Sequence, residues 1–172
     1  TDFQPIDQTD AGDVTAAVTA VDLQLGLGNT SSSGCEAADF AGFTPGNIAL
    51  IQRGTCTFAL KAVNAQAAGA SAVVIFNQGN TSLREDLIVG TLLPDGAAVT
   101  IPVVGASFAN GVALAQPLVH PVPDEATLQP GVLVERVPVL VEVPEAVAHG
   151  VGVLADDHGP RRVLVHQVED VV

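Results

Sequence analysis

The stretch that most constrains this chain is residues 48–77, IALIQRGTCTFALKAVNAQAAGASAVVIFN. It opens and closes on runs of branched apolar residues, 48–51 and 72–76, each of a length that suits a buried strand. Between them Phe58, Ala62, Ala65 and Gly69 recur at the spacing of one helical face. Thr55 and Thr57 stand where a helix N-cap belongs, and Gly69 stands where a helix ends in the left-handed conformation. Strand, helix and strand in about thirty residues make a βαβ crossover, which implies parallel pairing and a right-handed connection. The rest of the chain then has to cover this unit.

The 172 residues suffice for one domain with a real core, or for one domain and an appendage. The net charge is -13, with six Lys and Arg in all. Such a balance argues against nucleic acid, whose phosphates call for basic patches, and against an anionic membrane surface. It favours an extracellular setting. No apolar run reaches the length of a membrane span. The chain opens without Met, signal peptide or charged leader and reads as a mature fragment or an excised domain.

In chain order, residues 1–13 are polar and acidic and read as a lead-in segment. Residues 14–25 alternate loosely and predict a strand with a bulge near Val21. Residues 26–34 are mostly Gly, Asn and Ser, a mobile surface loop. Phe40 and Phe43 are expected to anchor against the sheet. Thr44, Pro45, Gly46 and Asn47 have the chemistry of a type II turn. After the crossover, residues 81–98 read as an excursion over the surface. Residues 101–104 predict a third buried strand, with Pro102 confining it to an edge or a strand start. Ser107 is placed to cap a short helix over residues 108–115, with Phe108, Val112 and Ala115 on one face.

Taken together, the runs SGCEAADF, GNIALIQRGTCTF, SAVVIFN and IPVVGASFANGVAL, with Lys61 three residues after Phe58, resemble the protease-associated (PA) domain of secreted peptidases. The resemblance covers residues 14–116 in one order with no element missing. It implies a β-rich α/β fold, a curved open mixed sheet with one βαβ crossover and few short helices. It also implies a non-catalytic domain attached to a zinc aminopeptidase or a subtilisin-like protease. Its partners would be the catalytic domain of the longer protein and a peptide or protein ligand, with no cofactor. Arg53, Gly54, Phe58, Lys61 and Gly69 are the structural residues of its most specific motif.

Cys35 and Cys56 fall where secreted members of that family often carry a disulfide, and an exported acidic chain favours a bridge. Free thiols are the bland alternative. Cys56 as a nucleophile at a helix N-terminus is the sharp one, weakened because the matched region holds no His to act as base. Arg53 follows a strand and would either present a cation at the sheet end or, more economically, cap carbonyls or pair with Glu36 or Asp39. Gly26 and Gly28 lack the third Gly and the Lys of a phosphate cradle. Asn29 and Asn80 each open a glycosylation triplet in a loop, and with Ser32 and Arg84 they are candidate interaction residues.

Residues 117–172 are different material. They hold all four His of the chain and no Phe, Ile, Asn, Ser, Lys or Cys. Residues 134–143, and in part 162–172, alternate like strands. His158 and His166 with Asp156 or Asp157 match no zinc-ligand spacing. Apart from Thr127, every residue of this tail is one whose codons begin with G or C. That bias is what the wobble position of a GC-rich gene gives when read out of frame, so the tail is expected to have no evolved fold; a small β appendage is the rival. A nucleotide sequence with its bias at third positions through the tail would sink the frame hypothesis.

Three function classes follow. The first is an interaction domain of a secreted peptidase, modulating substrate access or partner binding. The second is a sorting or receptor module that binds peptide termini through residues 26–34 and 79–98. The third, a piece of a catalytic α/β hydrolase domain, is disfavoured because the matched region offers no Ser-His-Asp set, no His-Glu-x-x-His and no nucleophile elbow.

Overall fold

The computed structural model describes residues 3–93 and 99–116 in full and the backbone of 150–154 and 162–167. The expected unit is present. Strand β3 (Ile48–Gln52) leads into helix α1 (Phe58–Ala67), which returns to strand β4 (Ala72–Phe76). The two strands pair in parallel from Ile48 opposite Ala72 to Gln52 opposite Phe76. All ten strand residues are buried, the pattern of a parallel sheet covered on both faces. Thr57 caps α1, its side chain accepting from the Leu60 amide at 3.2 Å. Gly69 follows with φ 85°, a conformation that costs other residues dearly, and so ends the helix.

Two further parallel strands flank the pair. Strand β2 (Gly12–Val21) lies against β3, and β5 (Val103–Ala106) against β4. Pro102 sits just before β5, so its missing amide breaks no ladder bond. The strand order is β1-β5-β4-β3-β2-β7-β6, with β1 (Phe3–Pro5) antiparallel to β5. At the other edge β7 (Arg162–Gln167) runs antiparallel to β2, and β6 (Gly150–Leu154) antiparallel to β7.

Alternate residues of β3 and β4 feed two cores. Ala49, Ile51, Val73 and Ile75 point to the α1 side and meet Ala59, Ala62 and Ala65. Ile48, Leu50, Val74 and Phe76 point to the other side and meet Leu114 of helix α2 (Phe108–Ala115). Ser107 caps α2, accepting from the Asn110 amide at 3.2 Å. Phe40 and Phe43 meet edge-to-face with centroids 5.9 Å apart, and Phe40 is buried. The 44–47 turn closes through the Asn47 amide and the Thr44 carbonyl.

Several expectations need correction. Residues 1–13 are more than a lead-in: Phe3–Pro5 form an edge strand and Ile6 is fully buried. Strand β2 stops at Val21, where Asp22 takes φ 40°, instead of running on to residue 25. The excursion over 81–98 is not confined to the surface, because Ile88 and Leu92 enter the α1-side core. The inward face of α1 is Ala59, Ala62 and Ala65 with Lys61, leaving Phe58 half-buried and Gly69 exposed. The strand expected within 134–143 lies outside the described residues, whereas that expected from residue 162 is β7.

Candidate functional site

Strands β2 to β5 all point their carboxyl ends the same way, and open α/β sheets bind ligands beyond those ends. The loops gathered there are tied to one another by side chains that leave few polar groups unpaired. Gln52, the last residue of β3, is fully buried. Its Oε1 accepts from the Gln24 amide at 2.8 Å, and its Nε2 donates to the carbonyls of Gln24 at 2.9 Å and Gln78 at 2.7 Å. Ser33 Oγ accepts from the Gln52 amide at 3.0 Å and donates to the Val21 carbonyl. One amide and one hydroxyl therefore lock the ends of β2 and β3 to the loops that follow them.

Asn29 joins the two longer loops. Its Nδ2 donates to the carbonyls of Gly26 at 2.8 Å and Gln78 at 3.2 Å. Gln78 Nε2 donates back to the Asn29 carbonyl at 3.0 Å, and the Gly28 amide donates to the Asn80 carbonyl at 3.2 Å. Residues 26–34 are thus pinned, with Ser31, Ser33 and Gly34 buried, against the expectation of a mobile loop. Asn29 and Asn80 come together at this junction. Ser32 is half-buried, its carbonyl accepting from the Cys35 amide. On the outside of these loops Leu27 and Leu83 are each 88% exposed.

Beneath the loops, Cys35 and Cys56 form a disulfide with Cα atoms 5.8 Å apart. Gly54 lies where a Cβ would fall 1.8 Å from the Ser31 carbonyl oxygen, so only glycine lets the two loops approach. Lys61 is the one lysine of the chain and is fully buried. Its Nζ donates to the Ser33 carbonyl and lies 3.7 Å from Cys35 Sγ. Burial pushes its pKa down to about 8, with the charge of Asp39 pulling the other way.

Arg53 makes neither of the expected pairs with Glu36 or Asp39. Its amide donates to the Phe76 carbonyl at 2.8 Å, and its guanidinium lies 5.8 Å from the centre of the Phe58 ring. Asp39 instead accepts from the Glu36 amide at 3.1 Å, capping a short 3-10 turn. Burial, and then the like charge of Arg84, hold the Arg53 guanidinium below its ordinary range. The buried state of Lys61 and the bracing by Gln52, Ser33 and Gln78 were missed. A polar residue ending an otherwise apolar strand, as Gln52 ends IALIQ, was the available signal.

Among the described residues no group of three or more His, Cys, Asp or Glu is placed to hold a metal ion, and no helix is long and apolar enough to cross a membrane. What the carboxyl end offers is hydrogen-bonding loops, exposed leucines and two arginines.

The profile of the PA domain matches residues 14–114, and the chain belongs to that family. An aminopeptidase of Pseudomonas aeruginosa is 59% identical over 118 residues, covering 67% of this chain and 21% of the relative. Aminopeptidase YwaD of Bacillus subtilis is 46% identical over 78 residues, 45% of this chain and 16% of the relative. Among solved structures, a zinc aminopeptidase from Bacillus subtilis superposes with a TM-score of 0.50 at 34% identity, covering 66% of this chain and 25% of that one. The chain thus spans a quarter or less of the length of these relatives.

Proposed function

We propose that this chain is a non-catalytic interaction domain of a secreted peptidase, holding a peptide or protein segment against the carboxyl ends of its parallel strands. In the longer protein it would modulate access to a catalytic domain. The observation that carries the reading is the pair of exposed leucines, Leu27 and Leu83, on loops that Asn29, Gln78 and Asn80 fasten together. Bracing of that kind lowers the ordering cost of binding. The fully buried Lys61 and the bridged cysteines leave the usual nucleophiles of this region out of a substrate's reach. Membership of the PA family supports the accessory role. The disulfide supports an oxidising compartment.

The test has two arms. The chain alone, with and without added zinc, is expected to release no product from leucine p-nitroanilide, and measurable turnover would overturn the reading. Peptide capture by the immobilised chain is expected to fall at least about tenfold in the Leu27→Asp, Leu83→Asp double variant, as loss of a contact hot spot does. Unchanged capture would move the surface elsewhere.

A further inference from the structure

Lys61 is fully buried, and among the described residues no carboxylate lies within ion-pair distance of its Nζ. Its partners are the Ser33 carbonyl and, at 3.7 Å, Cys35 Sγ. A carbonyl lends a lone pair but no net charge, so the buried ammonium has no full counter-charge. Asp39, whose field reaches it, commits an oxygen to the Glu36 amide at 3.1 Å. Glu36 adjoins Cys35 but is exposed, and water screens its charge.

The same sulfur meets a second donor. Thr55 Oγ1 lies 3.8 Å from Cys35 Sγ, and because a bridged sulfur has no hydrogen, the hydroxyl donates. Among the described residues no donor stands at Cys56 Sγ. The disulfide is therefore lopsided, with an ammonium and a hydroxyl at one sulfur and neither at the other. Both cysteines are half-buried, and Thr55 and Thr57 on either side of Cys56 are exposed, so a small solute can reach that end.

Thiol–disulfide exchange responds to such an asymmetry. An attacking thiolate bonds to one sulfur and expels the other, and the sulfur that better holds negative charge is the one that leaves. A cation beside a sulfur favours its thiolate. The amino end of α1 competes, since it favours an anion at Cys56, just before the cap Thr57. It offers only about half an elementary charge, spread over a turn. Lys61 sets a whole charge 3.7 Å from Cys35 in a buried setting, where attraction is least screened. The ammonium prevails.

We propose that the Cys35–Cys56 bridge is a directional exchange site for small thiols, which attach to Cys56 while Cys35 is released beside Lys61. The inference goes beyond the interaction-domain reading and stands whether or not the domain holds peptide. The incoming thiol gives its proton to water, and its thiolate sulfur bonds to Cys56 Sγ. The Sγ–Sγ bond breaks, and its electron pair passes to Cys35 Sγ as the counter-ion that Lys61 lacked. Return attack by the Cys35 thiolate on the mixed disulfide expels the small thiol and restores the bridge. A second small thiol attacking instead leaves as the symmetrical disulfide, with Cys56 reduced. No other oxidant or reductant enters. The adduct forms two residues from Gly54, where the loops at Ser31 and Gly54 touch, so the surrounding thiols would set how firmly those loops are joined.

The test exposes the full 172-residue chain briefly to reduced glutathione, blocks free thiols with N-ethylmaleimide and maps the tryptic peptides by mass. Cleavage after Arg53 and Lys61 separates Cys56 from Cys35. Glutathione is expected on Cys56 and N-ethylmaleimide on Cys35, in about tenfold excess or more over the reverse. In urea, where Lys61 is no longer held at Cys35, the excess should vanish. An even split in the folded chain, an adduct chiefly on Cys35, or no adduct overturns the proposal. Lys61→Met should erase the bias and slow the exchange about tenfold, and a bias that survives there overturns it too. A second measurement needs no bridge. The chain lacks Tyr and Trp, so ultraviolet absorbance follows thiolate formation cleanly. Cys35 in the Cys56→Ser variant should ionise about one pH unit or more below Cys56 in the Cys35→Ser variant. The opposite order overturns the proposal.

Discussion

On the α1 side of the sheet the apolar core surrounds a lysine and backs onto a disulfide. On the α2 side the packing is Phe76 against Phe108, centroids 6.3 Å apart, with Leu114 beside them. Both faces bury the same two strands, yet they depend on different chemistry. The α2 face stands on contact and loses stability only as atoms are removed. The α1 face also answers to redox state and to protonation, and it is the face whose loops, from Ser31 to Cys56, brace the carboxyl end of the strands. The stable support and the proposed binding surface thus share one crossover unit, with the polar groups placed where the loops need fixing.

The sharpest break in that comparison is Gly54→Ala. A Cβ 1.8 Å from the Ser31 carbonyl oxygen forces two backbones apart, and we expect a loss of about 4 kcal/mol in urea unfolding. A loss below about 1 kcal/mol would mean that the two loops are not locked together. Replacing Cys35 and Cys56 by Ser should cost about 3 kcal/mol, from the unfolded-state entropy of a bridge with a sequence separation of 21. Dithiothreitol should reproduce that loss in the parent chain and have no effect on the double variant.

Protonation separates the faces next. Burial lowers Lys61 from 10.5 to about 8, so the unfolded chain binds more protons than the folded one between those values. Stability should therefore rise with pH across that window, by roughly 2–3 kcal/mol, and should be insensitive to Lys61 below it. The chain has no Tyr and no second Lys, and both cysteines are bridged, so the window reports almost purely on Lys61. Lys61→Met should flatten the profile. A profile that still rises in the variant would assign the titration elsewhere.

Leu114→Ala probes the other face and should cost about 2 kcal/mol as a cavity, equally at pH 7 and pH 10 and with or without reductant. The smallest effect is expected from removing residues 117–172. We propose that the chain to Gln116 keeps its cooperative transition within about 1 kcal/mol of the parent, because the crossover and both cores lie inside it. Strand β7 pairs with β2 along the backbone, a pairing that many alternating sequences can supply. A collapse on truncation would make the tail part of the fold.

How much of this was legible in the sequence follows from how local each signal is. The crossover, both helices with their caps at Thr57 and Ser107, and the stop at Gly69 are written in contiguous residues, and all are found. Strand β1 was not legible: three residues carry no periodicity, and its partner β5 lies about a hundred residues away. Ile88 and Leu92 lie in a short apolar run, residues 87–93, in which Val89 and Leu93 are exposed, and which of these side chains is buried depends on a backbone link from Asp7 to Gly90 that no local pattern announces. Lys61 was named as a structural residue of the motif, but nothing local says that a lysine of an Ala-rich helix is buried. Its burial is set by the Ser33 loop, which folds over it from elsewhere in the chain. The candidate site shows the same division, with Asn29 and Asn80 identifiable singly and their meeting visible only in three dimensions.

The central claim is that peptides are held, uncut, at the carboxyl ends of the parallel strands. Mapping the backbone amide chemical shifts of the full chain while Ala-Ala-Leu is added tests it most directly. The account predicts shifts gathered at residues 27–29, 53–58 and 79–84, with the peptide recovered intact. Shifts gathered on α2 or β1, or a shortened peptide, would contradict it.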